Sequence, residues 1–149
     1  MTNASNLRRK PHILFLGPTN TARTLMAEAC ARAYLADLAE VRSVGMRAGD
    51  PDDRTLAVLE EDGTDTSALR PRDLDAAVLE WADLIVTLTP DPTRLPAPRG
   101  DSFISKNWPL DDPRMQGDNG PDLDAYRRCR EEIKRRVRQL ANSIRLMQR

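Results

Sequence analysis

The chain has 149 residues, the size of a single domain, with 31% charged residues and a formal net charge of +0 at pH 7. That balance excludes a bulk electrostatic draw toward nucleic acid or an anionic membrane. One histidine (His12) and two cysteines (Cys30, Cys129) leave almost no material for a zinc or His-based catalytic centre, and no apolar run approaches the roughly 20 residues of a membrane span.

Met1 to Lys10 is polar, lacks the apolar stretch of a secretory signal, and is expected to be a flexible tail before one domain spanning 11–149. Cysteines this sparse, with no ligand-like cluster, fit a reducing cytoplasmic setting. His12 to Leu16 is an apolar run without alternation, as expected of a strand buried on both faces. It is expected to end at the turn-formers Gly17-Pro18-Thr19-Asn20-Thr21. A helix from about Ala22 to Leu38 follows, with Thr21 placed to cap it and Leu25, Met26, Ala29, Ala33 and Leu35 as its apolar stripe.

Val41 to Gly45 reads as a second strand. Asp50-Pro51-Asp52 opens a helix, with Pro51 in its first turn and Leu56, Val58 and Leu59 facing inward, that ends near Gly63. Asp73 to Trp81 is helical in pattern and leads into a buried strand, Asp83 to Leu88. Four prolines between Thr89 and Gly100 mark a loop. Phe103 to Ser105 reads as a short last strand. Asn107 to Pro121 reads as loop, and Asp122 to Met147 as a final helix with Ile133, Val137, Leu140, Ile144 and Met147 on its inner face. Strands alternating with helices imply a parallel sheet covered on both faces.

Ligands of such sheets bind at the carboxyl ends of the strands, so the loop after the first strand is the first candidate site. Its backbone N–H groups and those of the following helix's first turn favour an anion, and Arg23 adds a permanently charged fork suited to phosphate or arsenate. The same residues equally suit an ordinary βα turn with a surface arginine.

The run from Ile13 to Glu28 (Ile-Leu-Phe-Leu-Gly-Pro-Thr-Asn-Thr-Ala-Arg-Thr-Leu-Met-Ala-Glu) resembles the signature of the low-molecular-weight tyrosine phosphatase and thioredoxin-coupled arsenate reductase superfamily. That signature is a strand, then Cys-x-Gly-Asn-x-Cys-Arg-Ser, then a helix bearing Met-Ala-Glu. Val41 to Gly45, Asp83 to Leu88, Trp108-Pro-Leu-Asp-Asp-Pro113 and Tyr126 to Ile133 resemble the family's later elements in the same order. The resemblance implies an α/β three-layer sandwich around a central, mostly parallel four-stranded sheet. It also implies an anion-binding loop of Gly17, Thr19, Asn20, Thr21, Ala22, Arg23 and Thr24, and a general acid at Asp112, with Asp111 as the fallback.

The likeness breaks at the nucleophile. The family attacks with a thiolate, and the matching position is Gly17, which has no side chain. Thr19 and Ala22 replace the family's loop glycine and second cysteine. The first of the reductases' resolving cysteines would fall near Thr89, and Gly49 to Asp124 contains no cysteine. Pro18 removes a backbone donor from the cradle. Cys30 lies two helical turns past Arg23, roughly 10 Å along the axis, in a core-facing position.

The expected function is therefore a phosphatase- or arsenate-reductase-like domain that is catalytically silent, retaining an oxyanion site (phosphate, arsenate or sulfate), a phosphorylated protein partner, or a regulatory role. No cofactor and no metal are expected. The alternatives are an active enzyme with a non-standard nucleophile and an interaction module with no anion site. Arg127 to Arg149 holds nine Lys/Arg against two Glu, but with 4% aromatic residues this helix reads as a solvated face, not a nucleic-acid surface.

Overall fold

A computed structural model describes residues 9–95, 104–115 and 123–147. Four strands, β1 (His12–Thr19), β2 (Glu40–Arg47), β3 (Leu84–Leu88) and β4 (Ile104–Trp108), form one sheet in the order β2-β1-β3-β4, every pair parallel. Helices α1 (Arg23–Tyr34), α2 (Asp53–Glu61) and α4 (Asp124–Met147) cover one face, and α3 (Ala76–Trp81) covers the other. The architecture is the α/β sandwich with a four-stranded parallel sheet implied by the sequence.

The unbroken apolar run of β1 follows from its central place. Ile13 and Phe15 point into the core under α1 and α4, while Leu14 and Leu16 point into the core under α3. All four are 0% exposed, and each such burial contributes about 1.5–3 kcal/mol. Around them the observed elements depart from the expected ones. Helix α1 has no one-sided stripe: Arg23 through Ala31 are all buried, while Ala33 is exposed, because α1 is wedged between the sheet and α4. Ala22, not Thr21, is its N-cap, with no side-chain cap. Helix α2 begins later than expected. Asp52 caps it by accepting from the Arg54 N–H at 3.0 Å, so Pro51 lies outside the first turn, and Leu56 is only half-buried. Asp75 caps α3, leaving Asp73 to bridge to Gly45. Strand β4 runs on through Asn107 and Trp108, which pair with Thr87 and Leu88, residues the sequence assigned to a loop. Phe103, Asp122, the prolines at 96 and 98, and residues 1–8 of the expected tail lie outside the described residues. Arg9 and Lys10 hold the domain: Arg9 donates to Asp83 at 2.8 Å and Lys10 to the Ala36 carbonyl at 3.4 Å.

Helix α4 buries Ile133, Val137, Leu140 and Ile144 as expected, but Met147 is exposed. Arg130, expected on the solvated face, is buried and donates to the Val58 carbonyl and to Glu61, both at 2.8 Å. Arg127 reaches Glu61 at 2.6 Å and Lys134 reaches Asp62 at 3.1 Å. Much of the helix's positive charge is thereby committed to the acidic end of α2. Among the described residues no helix is long and apolar enough to cross a membrane.

Gly45 sits where β2 meets the end of β1. A Cβ there would fall onto the Arg47 carbonyl oxygen, the Thr19 carbonyl carbon and the Asn20 nitrogen, two of them backbone atoms of the facing strand and its turn. Gly45→Ala is expected to cost about 3 kcal/mol, read as a lower urea midpoint at unchanged slope.

Candidate functional site

The candidate site lies where β1 hands over to α1, and the structure places the turn later than the sequence suggested. Strand β1 continues through Gly17, Pro18 and Thr19, with Gly17 opposite Gly45 and Thr19 opposite Arg47. Its pairing with β3 ends at Leu16, so Pro18 falls where β1 has a neighbour on one side only and its missing N–H breaks no ladder bond there. The Asn20 N–H then donates to the Ala48 carbonyl at 3.1 Å. Only Asn20, Thr21 and Ala22 remain to turn the chain into α1.

Asn20 is 0% exposed and pins this turn. Its amide nitrogen donates to Thr24 Oγ1 at 2.7 Å and Ser43 Oγ at 3.0 Å, and its Oδ1 accepts from the Arg72 N–H at 3.0 Å. Ser43 in turn donates to the buried Glu28 at 2.6 Å. Thr21 shares a hydroxyl contact with Thr19 at 3.1 Å. Gly17 is buried, and a Cβ built on it would stand 3.0 Å from the Thr24 γ-methyl and 3.4 Å from the Thr19 carbonyl oxygen. The Thr24 methyl thus occupies the direction a side chain at 17 would take.

Arg23 and Asp112 meet across the fold. Arg23 donates to the Leu110 carbonyl at 2.7 Å, and its other terminal nitrogen lies 4.0 Å from Asp112 Oδ2. Both side chains are largely covered. Asp112 also accepts from the Arg114 backbone N–H at 3.0 Å and from its guanidinium at 2.9 Å, opening the 3₁₀ turn Pro113–Met115. Burial pushes the Asp112 carboxyl up, but the hydrogen bonds from Arg114 and the charges of Arg114 and Arg23 outweigh it and hold the group below its ordinary range. Asp112 is a carboxylate near neutral pH, bound to arginines and carrying no proton to donate. Burial lowers Arg23 from its ordinary value, opposed by Asp112. Trp108 anchors the loop: it is 6% exposed, with its ring 5.7 Å from that of Phe15.

Neither cysteine is poised as a nucleophile. Cys30 is buried in the core, where burial pushes its thiol up to about 12. Cys129, half-buried, is likewise raised by burial to about 12, although Arg23 pulls the other way. At pH 7 such thiols are ionised to roughly one part in a hundred thousand.

Sequence reasoning missed the Leu110 carbonyl, Arg114, and the bond from Tyr126 to Asp52 at 2.6 Å that ties α4 to the start of α2. A local signal existed for part of this. Asp112-Pro-Arg114 and Asp52-Asp-Arg54 share the spacing in which an aspartate accepts from the N–H two residues on. The carbonyl contact and the tyrosine bond join residues more than seventy positions apart and left no such signal.

Comparisons with known proteins agree with this fold. Residues 12–149 match the family described as low molecular weight phosphotyrosine protein phosphatase, and the chain belongs to that family. An arsenate reductase of Bacillus subtilis (strain 168) is 32% identical over 132 residues, covering 88% of this chain and 95% of that protein. A solved arsenate reductase in its phosphate-binding state superposes with a TM-score of 0.77 at 26% identity, covering 90% of this chain and 98% of that one. The arsenate reductase of Archaeoglobus fulgidus gives 0.70 at 30% identity, covering 87% and 98%.

Two outcomes are expected at this site. Gly17→Cys should lose about 1–2 kcal/mol, and Thr24→Ser added to it should restore most of the loss, measured by urea unfolding. Iodoacetamide at pH 8 should label Cys30 and Cys129 far more slowly in the folded chain than in urea, followed by mass spectrometry.

Proposed function

We propose that this chain is a catalytically silent low-molecular-weight-phosphatase-like domain that binds an oxyanion, free or on a phosphorylated protein, without turning it over. The observation that carries the reading is the pairing of Gly17 with Thr24: the position matching the family nucleophile has no side chain, and a threonine methyl stands 3.0 Å from where its Cβ would be. The raised thiols of Cys30 and Cys129 leave no substitute. Water attack on a phosphate monoester without a thiolate is too slow to matter.

The anion site of this reading is the uncapped start of α1 with Arg23. Asp112 and the Leu110 carbonyl hold Arg23, so an incoming anion must displace them. Because the Asp112 carboxyl is depressed, acidification to pH 5 leaves this competitor charged; it is released only below the ordinary carboxylate range.

The test is a sulfate, phosphate and arsenate titration followed through the amides of Gly17 to Thr24. Asp112→Asn should tighten sulfate about tenfold, or about 1.4 kcal/mol, and Arg23→Ala should abolish the response. No turnover of para-nitrophenyl phosphate is expected. Turnover lost on Cys30→Ser would establish the active-enzyme alternative instead, and silent amides at every anion would leave an interaction module without an anion site.

A further inference from the structure

Away from this site, at the free edge of β2, three arginines from three separate elements face one cavity of about 440 Å³. They are Arg32 of α1, Arg42 of β2 and Arg72 of the segment before α3, and Trp81 and Glu40 complete the polar and aromatic wall. Two of the arginine side chains are positioned by a partner that is itself held in place, and the third is fixed at its backbone. Arg32 pairs with Glu28 at 3.0 Å, and Glu28, 6% exposed, is fixed by the Ser43 hydroxyl. The Arg42 guanidinium lies 4.3 Å over the Trp81 ring, whose own position is set by parallel stacking on His12 at 4.4 Å. The Arg72 backbone is tied to the buried Asn20.

Two of the three charges have no carboxylate partner. Among the described residues, neither the Arg42 nor the Arg72 guanidinium makes a hydrogen bond or ion pair, a state shared with the side chains of Arg47, Lys106 and Arg128, whereas most of the other arginines and lysines, such as Arg23, Arg127 and Arg130, are held by acids or carbonyls. Glu40, the one carboxylate on this cavity, is exposed and turned toward His12 at 3.4 Å. Asp73 and Asp75, on the adjoining cavity, accept from the Ala48 and Val78 N–H groups. With Arg32 balanced by Glu28, and Glu40 counted against Arg42 and Arg72, the cavity keeps a surplus of about one positive charge, carried on planar forks.

We infer that Arg32, Arg42 and Arg72 form a second anion site that takes a phosphate dianion, either free phosphate or the phosphoryl group of a small organic phosphate. Two unpaired guanidinium forks offer paired N–H donors to the tetrahedral oxygens of such a group. A cavity of about 440 Å³ leaves room for an organic moiety beside Trp81.

The site is tested in the Arg23→Ala variant, so that the site at the start of α1 contributes nothing. Inorganic phosphate and O-phosphoserine are titrated at constant ionic strength, and the amides of Arg42, Ser43, Arg72 and Asp73 are followed by NMR. Saturable shifts are expected. Arg72→Gln, which alters an exposed side chain with no hydrogen bond or ion pair among the described residues, should weaken them about tenfold, and Arg42→Gln with it should abolish them. The tighter of the two probes identifies the source of the phosphoryl group. Shifts that are linear in concentration, that chloride reproduces, or that survive Arg42→Gln/Arg72→Gln would overturn the proposal.

Discussion

The backbones of β1 and β2 touch at Gly45, where the Thr19 carbonyl carbon and the Asn20 nitrogen lie so close that no side chain fits between them. That contact keeps β1 extended through Thr19 and lets the Asn20 N–H reach the Ala48 carbonyl. The backbone N–H of Asn20 is thereby directed to the residue that follows β2, and the turn into α1 shrinks to three residues. Asn20 then closes the arrangement from its side chain, bonding Thr24 and Ser43 with both N–H donors and the Arg72 backbone with its oxygen. A buried amide held by three such bonds is rigid, because breaking any one of them leaves an unsatisfied polar group.

This rigidity has a consequence for the chemistry. The polar groups around the turn mostly bond one another: Thr24 to Asn20, Ser43 to Glu28, Arg23 to the Leu110 carbonyl, Asp112 to Arg114. A thiolate site needs an ionised sulfur beside free donors, and the two sulfurs present are instead desolvated and protonated. What the arrangement retains is charge geometry. Arg23 stands at an uncapped helix start under a carboxylate that competes for it, and Arg42 and Arg72 stand unpaired on the far edge of β2. Asn20 touches both regions, through Thr24 on one side and the Arg72 backbone on the other.

The sequence by itself determined the sheet and its helices, because these rest on local patterns. The unbroken apolar run at Ile13 to Leu16 requires burial on both faces, and Asp83 to Leu88 repeats the requirement. The motif order from Ile13 to Ile133 was enough to place the chain in its family. Element ends were less legible: Pro18 reads as a breaker, yet it is tolerated because β1 has lost its β3 neighbour there, a fact about strand order that no local pattern carries. Only the tertiary structure decided which groups meet. Arg23 faces the Leu110 carbonyl and Asp112, Arg130 leaves the basic face of α4 for Glu61, and Arg32, Arg42 and Arg72 converge from three elements. Local conformation follows from neighbours along the chain. The partner of a long charged side chain follows from which elements pack together, and that is settled only when the core closes.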